Sequence, residues 1–185
     1  MPTRPTLDTS RLVLRPFTLA DAPAVQRLAG AREVADTTLT IPHPYEAGMA
    51  EEWIGMHEAQ FAAGEGVTFA ITERDGGALV GAIGLTVQPA HARAELGYWL
   101  GTPYWGRGYC TEAARAVLGH AFDALALHRV WACHFARNPA SGRVLQKIGM
   151  TREGCLRGHI EKWGRFEDVE MYGVIGEEWV LGSSR

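Results

Sequence analysis

The sequence lacks the features that mark several large classes of protein. Its three cysteines are odd in number and widely spaced, which argues against a disulfide framework and favours a reducing, cytoplasmic compartment. No Cys/His cluster has metal-ligand spacing, so we expect no metal. No apolar run approaches the length that crosses a membrane, and the first residues lack the apolar core of a signal peptide. A net charge of −3 without a long basic run gives no reason to expect nucleic acid as a partner.

What is present is a well-patterned globular chain. With 185 residues and 46% hydrophobic content, residues 1–185 are expected to form a single domain with a sizeable core. Hydrophobic periodicity and turn residues predict an α/β (α+β) protein around one sheet, in the order β-α-α-β-β-β-α-β-α-β-β. The predicted strands span 6–17, 67–72, 79–88, 92–100, 129–136, 151–160 and 165–175. The predicted helices begin near residues 18, 47, 109 and 138, and residues 31–46 are predicted to be a loop.

The segment from Tyr104 to Ala113 is the most informative, because a Gly-rich loop there joins a strand to a long helix. Gly106 and Gly108 flank Arg107, and glycine allows a tight turn that exposes backbone N–H groups. The helix N-terminus adds further N–H groups and a partial positive charge, which together can seat a phosphate or pyrophosphate. A Gly pair can also mark a simple turn. No Lys-Ser/Thr follows, which disfavours a P-loop, and the preceding antiparallel pattern disfavours a dinucleotide-binding unit.

Four segments in the same order resemble one family, the GNAT superfamily of acetyl-CoA-dependent N-acetyltransferases, and most closely its RimJ/RimL-type branch. They are Ser10-Arg-Leu-Val-Leu-Arg-Pro-Phe, Ala94-Glu-Leu-Gly-Tyr-Trp-Leu with Tyr104-Trp-Gly-Arg-Gly-Tyr-Cys-Thr-Glu-Ala, Arg137-Asn-Pro-Ala-Ser-Gly-Arg-Val-Leu-Gln-Lys-Ile-Gly-Met, and Glu153-Gly-Cys-Leu-Arg with Asp168-Val-Glu-Met-Tyr. The resemblance covers nearly the whole chain. It implies a mixed, splayed sheet flanked by helices, with acetyl-CoA as the acetyl-donor cosubstrate bound in the splay.

The resemblance also implies which residues bind the coenzyme. The family signature Gln/Arg-x-x-Gly-x-Gly/Ala falls on residues 105–110, where Trp105 and Cys110 depart from it and Gly108 matches. Both departures leave the backbone donors in place, so we expect coenzyme binding to survive them. The implied coenzyme-binding residues are the pyrophosphate seat Arg107, Gly108, Cys110 and Thr111, the strand end Trp99 and Leu100, and Asn138 and Ser141 beside the pantetheine arm and thiol.

Two residues are candidates for catalysis. By resemblance, the Ser141 hydroxyl faces the thiol and can protonate the leaving thiolate, although a serine in a first helical turn is also ordinary helix chemistry. Glu95 lies on the strand that leads into the Gly-rich loop and can be the general base that an amine acceptor needs, or else a surface carboxylate that pairs with Arg93 or with another strand. Weaker candidates for the base are His134, Tyr98, Tyr104, His159 and Asp168. Direct attack of the amine on the thioester is simpler than an acyl intermediate on Cys110.

The acceptor is less well determined by sequence than the donor. RimJ/RimL-type relatives acetylate protein N-terminal α-amino groups, so the resemblance implies that acceptor first. The alternatives are a small-molecule amine, such as a polyamine, an amino acid or a drug, and a non-catalytic acetyl-CoA-binding module. In the family, the first two helices and the last hairpin wall the acceptor site, which draws attention to Trp53 and Trp163. The nearby carboxylates Glu51, Glu52, Glu58 and Glu161 can attract a cationic amine, and a homodimer is possible by resemblance.

Overall fold

The computed structural model describes residues 3–183, with side chains described through residue 179. One mixed sheet of eight strands runs through this part of the chain in the order β1-β2-β3-β4-β5-β6-β8-β7. The strands are β1 Leu7–Asp8, β2 Leu12–Arg15, β3 Gly66–Glu73, β4 Leu79–Gln88, β5 Arg93–Leu100, β6 Arg129–Phe135, β7 Thr151–Lys162 and β8 Arg165–Ile175. The helices are α1 Ala22–Ala29, α2 Arg32–Thr37, α3 Met49–Ala62, α4 Tyr109–Gly119, α5 Pro139–Lys147 and α6 Gly176–Ser183.

The centre of the sheet is splayed between β5 and β6. These two strands run parallel and pair over three residues, from Arg93 opposite Arg129 to Glu95 opposite Trp131. The other neighbouring strands pair antiparallel. Beyond Glu95 the ladder between β5 and β6 stops in the described chain, although β5 continues to Leu100, so the sheet opens on one side of that strand. The predicted mixed, splayed sheet flanked by helices is confirmed.

Two apolar clusters cover the two faces of the sheet. The larger cluster joins alternate residues of the central strands to α4, where Ala113, Val117 and Leu118 are fully buried. The smaller cluster joins Phe17 and Ala70 to residues of α1 and α3. Because side chains alternate across a strand, β5 contributes Tyr98 and Leu100 to the first cluster and Trp99 to the second. The end of β5 therefore carries side chains into both faces where the sheet opens.

The structure corrects several details of the sequence prediction. The predicted opening strand over 6–17 is two short strands, because the chain turns after β1 and Thr9 N–H donates to the Leu12 carbonyl at 3.0 Å. The predicted loop over 31–46 contains α2, whose six residues are too few to show a helical period. Helix α6 lies beyond the predicted elements. The Asn138 cap and the turn at Trp163 and Gly164 lie where the sequence predicted them.

None of the helices in the described part of the chain is both long and apolar enough to span a membrane. Likewise, no group of three or more metal-ligating side chains comes together within the described residues.

Candidate active site

Two cavities meet where the sheet splays. The larger has a volume of about 960 Å³ and extends from β4 and β5 to α1, α3 and the segment between α2 and α3. The smaller, of about 220 Å³, lies against the Gly-rich loop and the first turn of α5. Five residues line both cavities: Thr37, Thr38, Tyr98, Trp99 and Ser141. Two molecules bound in the two cavities would therefore meet beside these residues.

The Gly-rich loop adopts the conformation that its glycines predict. Gly106 and Gly108 have φ angles of 76° and 80°, in the left-handed region that disfavours residues with a side chain. Gly108 caps α4, and the first α-helical bond runs from Glu112 N–H to the Gly108 carbonyl at 3.1 Å. The N–H groups of the helix residues before Glu112 thus precede the first helical bond and are available to an anion.

The predicted coenzyme-binding residues fall into two sets. Those that line the smaller cavity are Trp99, Leu100, Cys110, Asn138 and Ser141. The other three, Arg107, Gly108 and Thr111, lie in the adjoining loop and the first turn of α4 rather than in that lining. The exposed Arg107 side chain places its guanidinium 5.6 Å from the centre of the Tyr104 ring.

Trp105 has a role in the loop that sequence reasoning did not foresee. Its indole Nε1–H donates a hydrogen bond to the Leu100 carbonyl at 2.8 Å, so this side chain ties the loop back to the end of β5. Trp105 also lines the smaller cavity. The departure from the family signature at this position therefore replaces a polar side chain with a brace between loop and strand.

Asn138 and Ser141 lie in the first turn of α5, facing the end of β5. Asn138 Oδ1 accepts a hydrogen bond from the Ser141 N–H at 3.4 Å, as its predicted capping role requires. The Ser141 hydroxyl oxygen lies 2.7 Å from the Tyr98 hydroxyl oxygen, and either hydroxyl can donate. Burial, followed by the nearby Cys110, raises the pKa of Tyr98 above its usual range, so this phenol stays protonated and can supply a hydrogen to Ser141.

Glu95 is a cavity residue rather than the surface partner of Arg93. Its side chain is half-buried and lines the larger cavity, while Arg93 donates to Gln88 Oε1 at 2.7 Å. Burial raises the pKa of Glu95, and the Cys133 thiol, which donates to Glu95 Oε1 at 3.8 Å, opposes that rise. A carboxylate with a raised pKa is a stronger base than a solvated one, which suits it to taking a proton from an amine.

The cysteines near the site are poor nucleophiles. Cys110 is buried, and burial raises the pKa of its thiol so that the thiolate is scarce at neutral pH. Burial and the neighbouring Glu95 raise the pKa of Cys133 to about 12. Both thiols are therefore protonated at neutral pH, which supports direct attack over an acyl-cysteine route.

The weaker candidates for the base differ in whether they reach the larger cavity. His134 is buried and lines that cavity; its Nδ1 lies 2.8 Å from the Phe135 carbonyl, and its Nε2 has no hydrogen-bond partner among the described residues. Its ring centre lies 5.6 Å from that of Tyr172. Asp168 accepts a hydrogen bond from the Gly158 N–H at 2.7 Å within the last hairpin. His159 is exposed on β7, and neither it nor Asp168 lines the larger cavity.

The larger cavity combines aromatic walls with negative charge. Among the described residues, its charged side chains are the carboxylates of Glu52 and Glu95, with no lysine or arginine in the lining. Its aromatic side chains include Tyr45, Trp53 and Trp99. The other acidic residues considered from the sequence, Glu51, Glu58 and Glu161, lie outside the lining.

The last hairpin acts on the larger cavity indirectly. Trp163 lies outside the lining, with its ring 6.0 Å from the His43 ring and 5.1 Å from Lys162 Nζ. Lys162 Nζ donates to the Ile41 carbonyl at 2.9 Å, and Ile41 lines the cavity. The hairpin thus braces the segment between α2 and α3, which forms the wall itself.

Comparison with known proteins identifies relatives over most of the chain. A family model described as an acetyltransferase (GNAT) domain matches residues 11–151. An uncharacterized N-acetyltransferase, YoaA of Bacillus subtilis (strain 168), is 32% identical over 172 residues, covering 92% of this chain and 97% of that protein. The ribosomal-protein-serine acetyltransferase of Escherichia coli (strain K12) is 31% identical over 98 residues, covering 52% of this chain and 55% of that protein.

Solved structures with different acceptors share the fold. RimL, a ribosomal L7/L12 α-N-protein acetyltransferase in complex with coenzyme A, matches with a TM-score of 0.85 at 19% identity, covering 92% of this chain and 98% of that one. A spermidine N-acetyltransferase from Vibrio cholerae in complex with CoA and spermine matches with a TM-score of 0.81 at 20% identity, covering 93% of this chain and 99% of that one. At these identities the likeness concerns the fold alone.

Proposed function

We propose that this protein, which belongs to the GNAT acetyltransferase family and is an acetyl-CoA-dependent N-acetyltransferase, acetylates the N-terminal α-amino group of a protein. The observation that carries the proposal is the meeting of the two cavities at Tyr98, Trp99 and Ser141. The smaller cavity adjoins an anion-binding loop and suits the donor. The larger is lined by carboxylates and aromatic rings and suits a cationic amine.

The donor assignment rests on the loop and on α5. In this assignment, the pyrophosphate is held by the backbone N–H groups of Arg107, Gly108, Cys110 and Thr111. Trp99, Leu100 and Asn138 border the pantetheine arm. Acetyl-CoA supplies an activated acetyl group, which lies where the two cavities join.

The chemistry is direct transfer. Glu95 takes a proton from the attacking amine, whose nitrogen forms the new amide bond to the acetyl carbon as the carbon–sulfur bond breaks. Ser141 gives its hydroxyl proton to the leaving thiolate while the Tyr98 hydroxyl, 2.7 Å away, donates a hydrogen bond to the Ser141 oxygen. Glu95 then releases the amine proton to solvent, and solvent returns a proton to Ser141, which restores the starting state. The raised pKa of Glu95 and the protonated state of Tyr98 suit these two roles.

The charge of the larger cavity favours an acceptor that is cationic and lacks a carboxylate nearby. A free amino acid carries a carboxylate next to its amine, and the described lining offers no cation to pair with it. A polypeptide N-terminus has the amine without that carboxylate. The similarity to the ribosomal-protein-serine acetyltransferase adds support for a protein acceptor.

A polyamine is the second candidate, and one observation favours it. Glu52 is exposed at the cavity wall while Glu95 is half-buried, so two separate carboxylates are available to two ammonium groups of one ligand. The fold shared with a spermidine N-acetyltransferase is compatible with this reading. The paired hydroxyls of Tyr98 and Ser141 argue against a module that binds acetyl-CoA without turnover.

Acetyl transfer followed by mass spectrometry tests the proposal. The purified protein and acetyl-CoA are incubated with peptides that have free N-termini, N-blocked lysine peptides, polyamines and amino acids. We expect acetylation of the free-N-terminus peptides alone. Acetylation of polyamines alone would transfer the assignment to small amines, and acetyl-CoA binding without any product would indicate a binding module.

The proposal extends to organisation and location. We propose that residues 1–185 act as one domain in the cytoplasm. The three free cysteines, Cys110, Cys133 and Cys155, support a reducing compartment.

A further inference from the structure

The turn between β1 and β2, residues 9–11, reaches across to the Gly-rich loop and α4. The Arg11 guanidinium donates from NH1 to the Arg107 carbonyl at 3.0 Å and from Nε to Glu112 Oε2 at 2.7 Å. Its third nitrogen, NH2, lies 2.7 Å from the same carboxylate oxygen. One side chain from a different part of the sequence therefore joins the loop and the helix that begins after it.

The bond to Arg107 fixes the direction of a peptide group in the proposed pyrophosphate seat. The peptide between Arg107 and Gly108 is trans, so its C=O and N–H point in opposite directions. Because Arg11 holds the carbonyl oxygen, the Gly108 N–H faces away from Arg11. The arrangement turns the partly negative oxygen out of the seat and presents a donor to an anion in its place.

The bond to Glu112 removes a second obstacle to anion binding. Glu112 lies in the first turn of α4, where a free carboxylate would repel a bound phosphate. Thr9 Oγ1, Ser10 Oγ and the Arg11 N–H donate to Glu112 Oε1 at 2.6, 3.0 and 2.8 Å. Burial alone would raise the pKa of Glu112, but these bonds and the Arg11 side chain lower it to about 2. The charge is thus permanent and neutralised by Arg11.

We propose that Arg11 is a positioning residue for the pyrophosphate of acetyl-CoA, acting through the Arg107–Gly108 peptide and Glu112 without touching the ligand. The proposal rests on the proposed pyrophosphate seat at the Gly-rich loop. Under this proposal, the β1–β2 turn contributes to the affinity for acetyl-CoA. It also explains why an exposed arginine, with half of its side chain accessible (50%), uses all three guanidinium nitrogens within the protein.

Comparing the affinities for two acetyl donors distinguishes this role of Arg11 from a general effect on folding. Acetyl-CoA carries the pyrophosphate, and acetyl-pantetheine lacks it. By calorimetry, R11Q is expected to weaken acetyl-CoA binding about tenfold, the scale of a lost charge-assisted hydrogen bond, while acetyl-pantetheine affinity is unchanged. R11K is expected to behave like R11Q, because one ammonium cannot hold the carbonyl and the carboxylate in a fork.

R152Q is the matched control. Arg152 is also ion-paired with a glutamate, Glu170, and its side chain is 53% accessible, but it lies in the last hairpin. R152Q should change neither affinity, and melting temperatures of all variants show whether each one folds. Unchanged acetyl-CoA binding by R11Q, equal loss of both donors, or full rescue by R11K would each overturn the proposal.

G108V separates this inference from the seat on which it rests. A valine at a φ of 80° would strain the backbone of the loop, so acetyl-CoA binding should fall sharply. If G108V weakens binding and R11Q does not, the seat stands and the role of Arg11 is wrong. If neither variant weakens binding, the seat itself is wrong.

Discussion

The hydroxyl oxygens of Tyr98 and Ser141 lie 2.7 Å apart, and this contact joins the end of β5 to the first turn of α5 across the open part of the sheet. Both residues line both cavities. The contact therefore lies where donor and acceptor are proposed to meet, and it links two hydroxyls through which a proton can move. Burial keeps the Tyr98 phenol protonated.

The Tyr98–Ser141 pair predicts that removing either hydroxyl lowers turnover. S141A removes the proposed acid and should lower kcat by about 100-fold, the lower end of the range for general acid–base catalysis. Y98F keeps the ring and removes its hydroxyl, so it should lower kcat about tenfold. Steady-state kinetics at saturating acetyl-CoA measures both effects. A Y98F enzyme with unaltered kcat would restrict Tyr98 to packing.

The contact between Cys133 and Glu95 predicts opposite pH shifts in two variants. A donor to the carboxylate stabilises its charged form and lowers the pKa of Glu95. C133A removes the donor, so the acidic limb of kcat/KM should move to higher pH. C133S supplies a stronger donor than a thiol, so the limb should move to lower pH. The pH–rate profiles of the two variants, compared with the wild type, measure the shifts.

E95Q is the control for that assignment. A glutamine cannot take a proton, so the limb assigned to Glu95 should disappear and turnover should fall. If E95Q retains the limb, or if C133A and C133S shift it in the same direction, the limb belongs to another group.

The sequence predicted the regular parts of the fold because their patterns are local. Strands β4, β5 and β8 show continuous apolar or alternating runs, and α5 is bounded by an Asn-Pro start and a glycine after its end. The splay was predicted from the family resemblance. It arises from the short pairing of β5 with β6, which no local sequence pattern indicates. Helix α2 was missed because six residues with two buried side chains, Val34 and Ala35, resemble a loop.

The candidate site was predicted as a set of residues but not as a set of contacts. The pairing of Ser141 with Tyr98 joins residues 43 positions apart, and that of Arg11 with Glu112 joins residues 101 positions apart. Such contacts depend on how the sheet and helices pack, which periodicity does not encode. The side of the strand on which Glu95 lies could be deduced from alternation, whereas its thiol neighbour Cys133 required the structure.

His57 predicts that the folded state loses stability in acid. It is buried between Trp53 and Phe17, and neither ring nitrogen has a hydrogen-bond partner among residues 3–183. Burial, followed by the charge of Arg4, lowers the pKa of His57 from 6.5 to about 4. Between pH 6.5 and pH 4, His57 is protonated in the unfolded chain and neutral in the folded protein. The free energy of unfolding therefore falls as the pH drops from 6.5 towards 4.

H57F should weaken that dependence while keeping the apolar packing. Urea unfolding at several pH values between 4 and 7.5 measures the slope for both proteins, and the exposed His159 provides the control variant H159Q. We expect a shallower slope for H57F and the wild-type slope for H159Q. Equal slopes for H57F and the wild type would show that other groups cause the acid dependence.

The contact made by Lys162 predicts an effect on acceptor binding that leaves acetyl-CoA binding unchanged. The residue is 8% exposed, and its ammonium donates to the Ile41 carbonyl at 2.9 Å, bracing the segment between α2 and α3. K162M keeps the length of the chain and removes the bond, so the acceptor wall loses its attachment to the last hairpin. A lost bond to a charged donor should raise the acceptor KM by about tenfold, because the wall must be ordered again when the acceptor binds.

Acetyl-CoA affinity should stay at the wild-type value in K162M, because Lys162 lines neither cavity and Ile41 lines only the larger one. K147M is the matched control, since Lys147 is exposed at the end of α5 and should leave both constants unchanged. The kinetics use the acceptor that the mass-spectrometric panel identifies. A K162M enzyme that loses acetyl-CoA affinity as strongly as acceptor affinity would mean that the hairpin supports the whole splay. A selective rise in acceptor KM would instead show that the hairpin controls the acceptor wall.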